Sequence, residues 1–273
     1  MPVVKILGTG SGIPTLDHWP SCAALTIDGL TYLFDAGAPL GPMMLSETVA
    51  RFYHLKRTAA QTRRDRKFYV DMYSVLAIFL SHLHADHVFG LPYFLQAAHL
   101  WEKRGDEFRF PDGNTLRVYM PRMGLQVLRE FLEMIGLGEP RFNLRMLPVL
   151  EGEFYRDERI AVVAVPNTHR LGTSYSFLIR AGKKSIVYTG DIRLDDLSRP
   201  GLLEGRVDLL IVECAHFEPR ELFEALKGAD IHRVILTHLH PSLYGRLREV
   251  ERLGSKLLGK RLVVATDGLE VEI

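Results

Sequence analysis

The stretch FLSHLHADHVFGLP, residues 79–92, sets three histidines and an aspartate within six positions, directly behind an apolar run. The whole chain has eleven histidines in 273 residues, so this concentration is local. Titratable groups at the edge of a core cost free energy unless something satisfies them. In a strand, residues i and i+2 point to the same face, so His82 and His84 present two imidazoles to one point. Asp86 and His87 lie just beyond, where the chain must turn, and reach a second point nearby. Imidazole and carboxylate are the ligands of choice for Zn2+ and related divalent ions. A single strand-end histidine is ordinarily structural. The pattern His-x-His-x-Asp-His demands one explanation for four polar groups together, and metal binding supplies it.

A complete site needs further ligands at the C-terminal ends of other strands, on the same edge. His169 closes the run AVVAVPNTH, and Asp191 closes KSIVYTGD after a glycine that lets the backbone turn sharply. His238 closes HRVILTH. Each alone reads equally well as a capping aspartate or a strand-end histidine. With the first cluster they make up a two-metal set.

Around these runs the chain alternates short β-rich stretches with helical ones. Strands are predicted at 3–7, 23–27, 31–35 and 75–82, with a hairpin turn at Asp28-Gly29. Further strands are predicted at 159–165, 174–180, 184–191, 208–215, 232–238 and 261–267. Apolar residues recur every three or four positions at about 39–56, 92–104 and 122–136, and helices at about 218–228 and 245–257 separate the last three strands. β stretches in each half with helices interspersed suit an α/β arrangement of two sheets packed face to face and covered by helices. No repeat, low-complexity segment or linker divides the chain, so residues 1–273 are expected to form one domain.

Composition narrows the function classes. A hydrophobic share of 47% supports a sizeable core, and 25% charged is ordinary for a globular protein. A net charge of +1 does not mark the chain as a whole as a nucleic-acid binder. The N-terminus MPVVKILGTG lacks a basic segment followed by a long apolar one, and no apolar stretch approaches bilayer length. The expectation is a cytoplasmic protein without membrane contact, its Cys22 and Cys214 buried thiols rather than a disulfide. The stretch 51–67, RFYHLKRTAAQTRRDRK, carries seven Lys or Arg and one Asp. It reads either as a solvated helix surface followed by a loop or as a phosphate-attracting patch beside the active site.

The set His82, His84, Asp86, His87, His169, Asp191 and His238 resembles the full ligand set of the metallo-β-lactamase-fold hydrolases. The resemblance covers nearly the whole chain. LGTGSGIPT (7–15), LFDAG (33–37), the cluster followed by GLP (90–92), TGD (189–191) and ILTH (235–238) are most similar to ribonuclease Z and its phosphodiesterase relatives. The resemblance implies a four-layer αββα sandwich with two metal ions at one edge. It implies that His82, His84 and His169 hold one ion, that Asp86, His87 and His238 hold the other, and that Asp191 bridges them. Asp35 would either orient a ligand histidine or cap the turn at Gly37. A homodimer is also implied.

Two divalent ions, two carboxylates and a hydroxide leave residual positive charge among neutral imidazoles. That suits an anionic phosphodiester, small or nucleotide, whose developing charge the metals can clamp while making hydroxide available near neutral pH. Asp86 can both ligate and orient this nucleophile. Zn2+ fits the histidine-rich set, and Mn2+ or Fe fits a site with two carboxylates. The chain departs from ribonuclease Z in two places. Only 21 residues separate His169 from Asp191, where that family carries an arm that grips tRNA. The family's Gly-His-Ser stretch, whose histidine assists catalysis, is missing between VECA and ILTH. His216 or His240 is left to substitute, and His240, two residues after His238, reads as an acid or phosphate contact or as an ordinary loop histidine. Glu213 matches a family acidic residue but lacks the usual histidine partner. The expected activity is a metal-dependent phosphodiesterase. The alternatives are tRNA 3′ processing with an unusual grip on RNA, hydrolysis of an ester, thioester or lactone, and a non-catalytic protein that keeps metal for stability.

Overall fold

The computed structural model describes residues 1–102, 108–169 and 172–273. Its first half is built from β1 (Val3–Gly8), β2 (Cys22–Ile27), β3 (Leu30–Phe34), β4 (Val75–Phe79), β5 (Thr115–Met120) and β6 (Asn143–Pro148). Then follow β7 (Gly152–Arg156), β8 (Ile160–His169), β9 (Gly172–Ala181), β10 (Lys184–Tyr188), β11 (Val207–Cys214), β12 (Ile231–Leu239), β13 (Leu262–Val264) and β14 (Leu269–Glu272). They form two sheets, in the orders β14-β1-β2-β3-β4-β5-β6 and β13-β12-β11-β10-β9-β8-β7.

Period-two patterning explains why the sheets face each other. Val4, Ile6, Leu25, Tyr32, Phe34, Ala77 and Phe79 of the first sheet share one core with Phe177, Ile179, Ile186, Leu209, Ile211 and Ile235 of the second. Their alternates point outward. Leu33, Ile78 and Leu80 meet the helices Leu40–Phe52 and Gly90–Glu102, while Leu210, Val212, Val234 and Leu236 meet the helices Pro219–Leu226 and Leu247–Leu258. The result is the αββα sandwich expected from the sequence. The hairpin at Asp28-Gly29 is present, with φ of 50° and 77° at the two turn residues, as a two-residue connection requires.

Strands β5, β6, β7 and β14 were not anticipated. β6 and β7 are half-exposed edge strands with no clean apolar alternation, and β14 is a four-residue edge. β4 also stops at Phe79, three residues before the first histidine. The Leu80 N–H still donates to the Tyr119 carbonyl of β5, and the ladder is lost at the next residue, where the Ser81 N–H turns to the Asp35 carboxylate. His82 and His84 are therefore presented by extended loop backbone rather than by the strand itself. Cys22 and Cys214 are free and buried. Among the described residues no helix is long and apolar enough to cross a membrane.

A candidate metal centre at the strand ends

The C-terminal ends of β4, β8, β10, β11 and β12 open on one edge of the sandwich, and all seven expected ligands lie there. The loop after β4 carries His82 and His84, and the short helix Ala85–Val88 carries Asp86 and His87. His169 is the last residue of β8, Asp191 follows β10, and His238 is the penultimate residue of β12. Two tight features shape this edge. Gly190 has φ 57°, and a side chain there would lie 2.7 Å from Ser81. A Cβ on Gly37 would sit 1.7 Å from the Asp86 carbonyl, so the chain after β3 can pass under the ligand helix only as glycine.

The donor atoms fall into two groups. His82 Nε2 lies 3.0 Å from His84 Nδ1, which lies 2.9 Å from His169 Nε2. His87 Nε2 lies 3.1 Å from His238 Nε2, which lies 3.2 Å from Asp86 Oδ2. Asp191 divides its carboxylate between them. Oδ2 faces His82 Nε2 at 3.5 Å and His169 Nε2 at 3.8 Å, and Oδ1 faces His87 Nε2 at 3.1 Å and His238 Nε2 at 3.3 Å. Tetrahedral ligands about 2.0–2.1 Å from one ion stand roughly 3.3–3.4 Å apart, close to these separations.

Hydrogen bonds behind the cluster fix which nitrogens face inward. The fully buried Asp35 accepts from the Ser81 N–H and hydroxyl, from the Tyr188 hydroxyl at 2.7 Å and from His87 Nδ1–H at 2.6 Å. This leaves the lone pair of His87 on Nε2. Because the Ser81 hydroxyl donates to Asp35, its oxygen is free to accept from His82 Nδ1–H at 3.0 Å, and the His82 lone pair likewise faces the cluster. Asp35 thus positions two ligand-type histidines, as carboxylates behind metal-binding imidazoles commonly do. Its alternative role, capping the turn at Gly37, is not adopted, since the Gly37 N–H donates to the Ser21 carbonyl.

The electrostatics ask for cations. Burial, reinforced by the neighbouring His87, lowers His82 to about 2, and burial takes His169 down to about 4, so both are neutral with lone pairs available. Burial opposes the charge of Asp191, yet His238 and His87 outweigh it and hold the carboxyl well below its usual range. At Asp86 the hydrogen bond to His238 similarly overcomes burial and leaves the carboxyl at about 2. The buried Asp191 and the half-buried Asp86 stand among five imidazoles, with Asp191 Oδ1 finding no hydrogen-bond partner among the described residues, and together they form a donor set that fits divalent metal.

Two further residues join this edge. Glu213, buried at the end of β11, accepts from the Ile192, Ala215 and His216 amides and from His216 Nδ1 at 2.8 Å. His216 Nε2 then lies 3.9 Å from Asp191 Oδ2. The histidine partner that Glu213 lacked in the sequence is therefore three residues away, and the spacing Glu-x-x-His just past a strand was the signal for it. His240 is placed differently. It caps the short 3-10 helix Pro241–Arg246, its Nδ1 accepting the Ser242 N–H at 3.2 Å, and it belongs to none of the donor groups. In the basic stretch, the helix Ala59–Phe68 is capped by Thr58, and Arg57 donates to the Ser46 carbonyl. Arg63 and Lys67 are exposed. The side chains of Arg64 and Arg66 lie outside the described residues.

Residues 33–239 match the family described as Beta-lactamase superfamily domain. The chain belongs to the beta-lactamase superfamily. A ribonuclease Z from Geobacillus kaustophilus is 30% identical over 177 residues, which is 63% of this chain and 47% of that protein. The chain spans about half the length of the first curated relatives it matches. Among solved structures, the metallo-beta-lactamase fold protein YhfI from Bacillus subtilis superposes with a TM-score of 0.70 at 17% identity, over 99% of this chain and 98% of that one. The short form of human tRNase Z superposes with a TM-score of 0.67 at 20% identity, over 99% of each chain. At these identities the superpositions establish the fold; the likeness to ribonuclease Z comes from the sequence relatives, and the His/Asp cluster could hold metal.

Proposed function

We propose that this chain is a dinuclear metal-dependent phosphodiesterase acting on small or nucleotide diesters. The observation that carries the proposal is Asp191, whose two oxygens face two separate imidazole groups. His82, His84 and His169 would hold one ion and Asp86, His87 and His238 the other, with Asp191 shared. Zn2+ suits the five imidazoles best, and Mn2+ or Fe is compatible. Such ions lower the pKa of water and polarise phosphoryl oxygens.

The chain's own residues do the rest. Asp35 and Ser81 keep His82 and His87 in the tautomers that point lone pairs inward. Asp86, the more exposed of the two carboxylates, can orient the attacking water as well as ligate. His216 is the proton donor for the leaving alkoxide. Glu213 accepts from its Nδ1 and raises its affinity for a proton, so Nε2 carries the transferable hydrogen on the open face of the cluster. This assigns to His216 the role that the sequence left between His216 and His240.

Genuine tRNA 3′ processing is the second reading, favoured by the ribonuclease Z relatives. Against it stands the interval between His169 and Asp191, which β9 and β10 fill. Metal analysis of the purified protein, with a panel of phosphodiesters, precursor tRNA, thioesters and lactones, tests the proposal. The expected result is two bound ions and diester turnover that chelation abolishes and metal restores. A preference for thioester or lactone, or metal binding without turnover of any of these, overturns it.

A further inference from the structure

Next to the metal edge lies a cavity of about 320 Å³ that shares one wall with it. The shared wall is His216, whose Nε2 stands 3.9 Å from Asp191 Oδ2 and whose ring centroid is 5.1 Å from that of His169. Asp86 belongs to the other side of the Asp191 carboxylate: its Oδ2 lies 3.2 Å from His238 Nε2, which lies 3.3 Å from Asp191 Oδ1. Displacement at phosphorus is in line, so the leaving oxygen departs away from the attacking water and toward the group that protonates it. With the water oriented by Asp86 and the proton on His216, the leaving alcohol is delivered to this cavity.

The other polar walls sort the alcohols that fit. His240 and Ser242 come from the turn after β12, and Glu218 and Glu221 from the start of the helix Pro219–Leu226. His240 Nδ1 accepts the Ser242 N–H, which leaves the neutral ring a hydrogen on Nε2 to donate. The two carboxylates are acceptors, and they close the helix N-terminus against anions. The Glu218 side chain accepts the Glu221 N–H, and Glu221 Oε2 accepts the Glu218 N–H at 3.2 Å. A cavity walled by an imidazole donor, a hydroxyl and two carboxylates takes hydroxyl groups and repels a further phosphate.

We propose that this cavity binds the leaving alcohol of the diester, and that this alcohol is an uncharged one bearing further hydroxyl groups, as a polyol does. The proposal rests on the phosphodiesterase reading and names the leaving side of its substrate. The water oxygen bonds to phosphorus, the bond from phosphorus to the polyol oxygen breaks, and the His216 Nε2 proton passes to that oxygen. The proton released by the water goes to solvent, from which His216 is recharged.

Zinc-loaded protein tests it with three ethyl phosphodiesters whose second group is propyl, glyceryl, or glyceryl bearing a terminal phosphate, the products being read by phosphorus NMR. The glyceryl diester should give ethyl phosphate and glycerol with a kcat/KM about tenfold above that of the propyl diester, as one or two added hydrogen bonds supply. The terminal phosphate should cancel that gain. His240→Ala and Glu221→Gln should each bring the glyceryl-to-propyl ratio below about threefold. Replacing Glu218 and Glu221 together by Gln should raise cleavage of the phosphorylated diester. A ratio near unity, a ratio unchanged by these substitutions, release of ethanol in place of glycerol, or faster cleavage of the phosphorylated diester overturns the proposal. If no diester is cleaved, the phosphodiesterase reading fails, and the cavity is read on its own from the histidine ring NMR signals of the same protein titrated with glycerol or propanol. A His240 signal shifted by glycerol and not by propanol supports the hydroxyl site, and equal responses to the two overturn it.

Discussion

Asp191 is the residue on which the proposed chemistry turns, because each of its oxygens faces a different imidazole group. Asp191→Ala should lower metal occupancy of both groups together and nearly abolish diester turnover, with the far-ultraviolet circular dichroism unchanged. A variant that retains two tightly bound ions and near-normal turnover removes the bridging assignment. His216 and His240 separate by partner. The first is held by a buried carboxylate and faces Asp191, while the second accepts from a backbone N–H at a helix cap. His216→Ala should slow single-turnover cleavage by about 10²–10⁴, the usual range for a general acid, and His240→Ala by less than about tenfold. The loss at His216 should shrink when the leaving group is p-nitrophenolate, which needs no proton. Equal losses at both positions, or the same loss for every leaving group, would refute the assignment.

At the scale of elements, most of the candidate site was legible because its proposed ligands lie at or just past the ends of strongly patterned strands. The apolar runs ending at His169 and His238 are β8 and β12, and the glycine before Asp191 takes the left-handed conformation a sharp turn needs. Less legible were features that depend on a distant neighbour. Asp35 could not be separated from a turn cap until Ser81, His87 and Tyr188 converged on it. Strand β7 has little pattern of its own, yet Tyr155 from it and Tyr32 from β3 both donate to Asp157 and tie the two sheets together. Burial raises the Asp157 carboxyl, but the tyrosine hydroxyls and the Ile160 and Arg159 amides outweigh it and hold it below its usual value. A carboxyl depressed in the folded state contributes stability above its unfolded pKa, about 3.9, and loses it as pH falls through the folded value. The Tm deficit of Asp157→Asn against wild type should therefore be full near pH 7 and shrink below about pH 4. A deficit independent of pH would show that the residue acts only through shape.

The whole molecule decides what size of substrate it can hold. Binding a structured tRNA takes several phosphate contacts away from the scissile bond, each adding a salt-dependent increment. β9 and β10 occupy the interval between His169 and Asp191, where ribonuclease Z carries its arm by the family resemblance, and a net charge of +1 offers little compensation. The stretch 51–67 is a concentrated basic segment, and its helix is amphipathic only weakly, with Arg63 and Lys67 turned to solvent. Small diesters, cyclic or short nucleotides among them, should therefore be hydrolysed with a higher kcat/KM than precursor tRNA at one near-physiological salt concentration. The salt dependence of tRNA cleavage should also be shallow, since few counterions are released when few phosphates are neutralised. Cleavage of precursor tRNA at its 3′ end far more efficiently than any small diester, with a steep salt slope, would reverse this ranking. In that event, neutralising Arg63, Arg64 and Arg66 together decides where the grip lies. A slope reduced by about two to three phosphate contacts would assign it to the basic helix, and an unchanged slope would place it elsewhere on the surface.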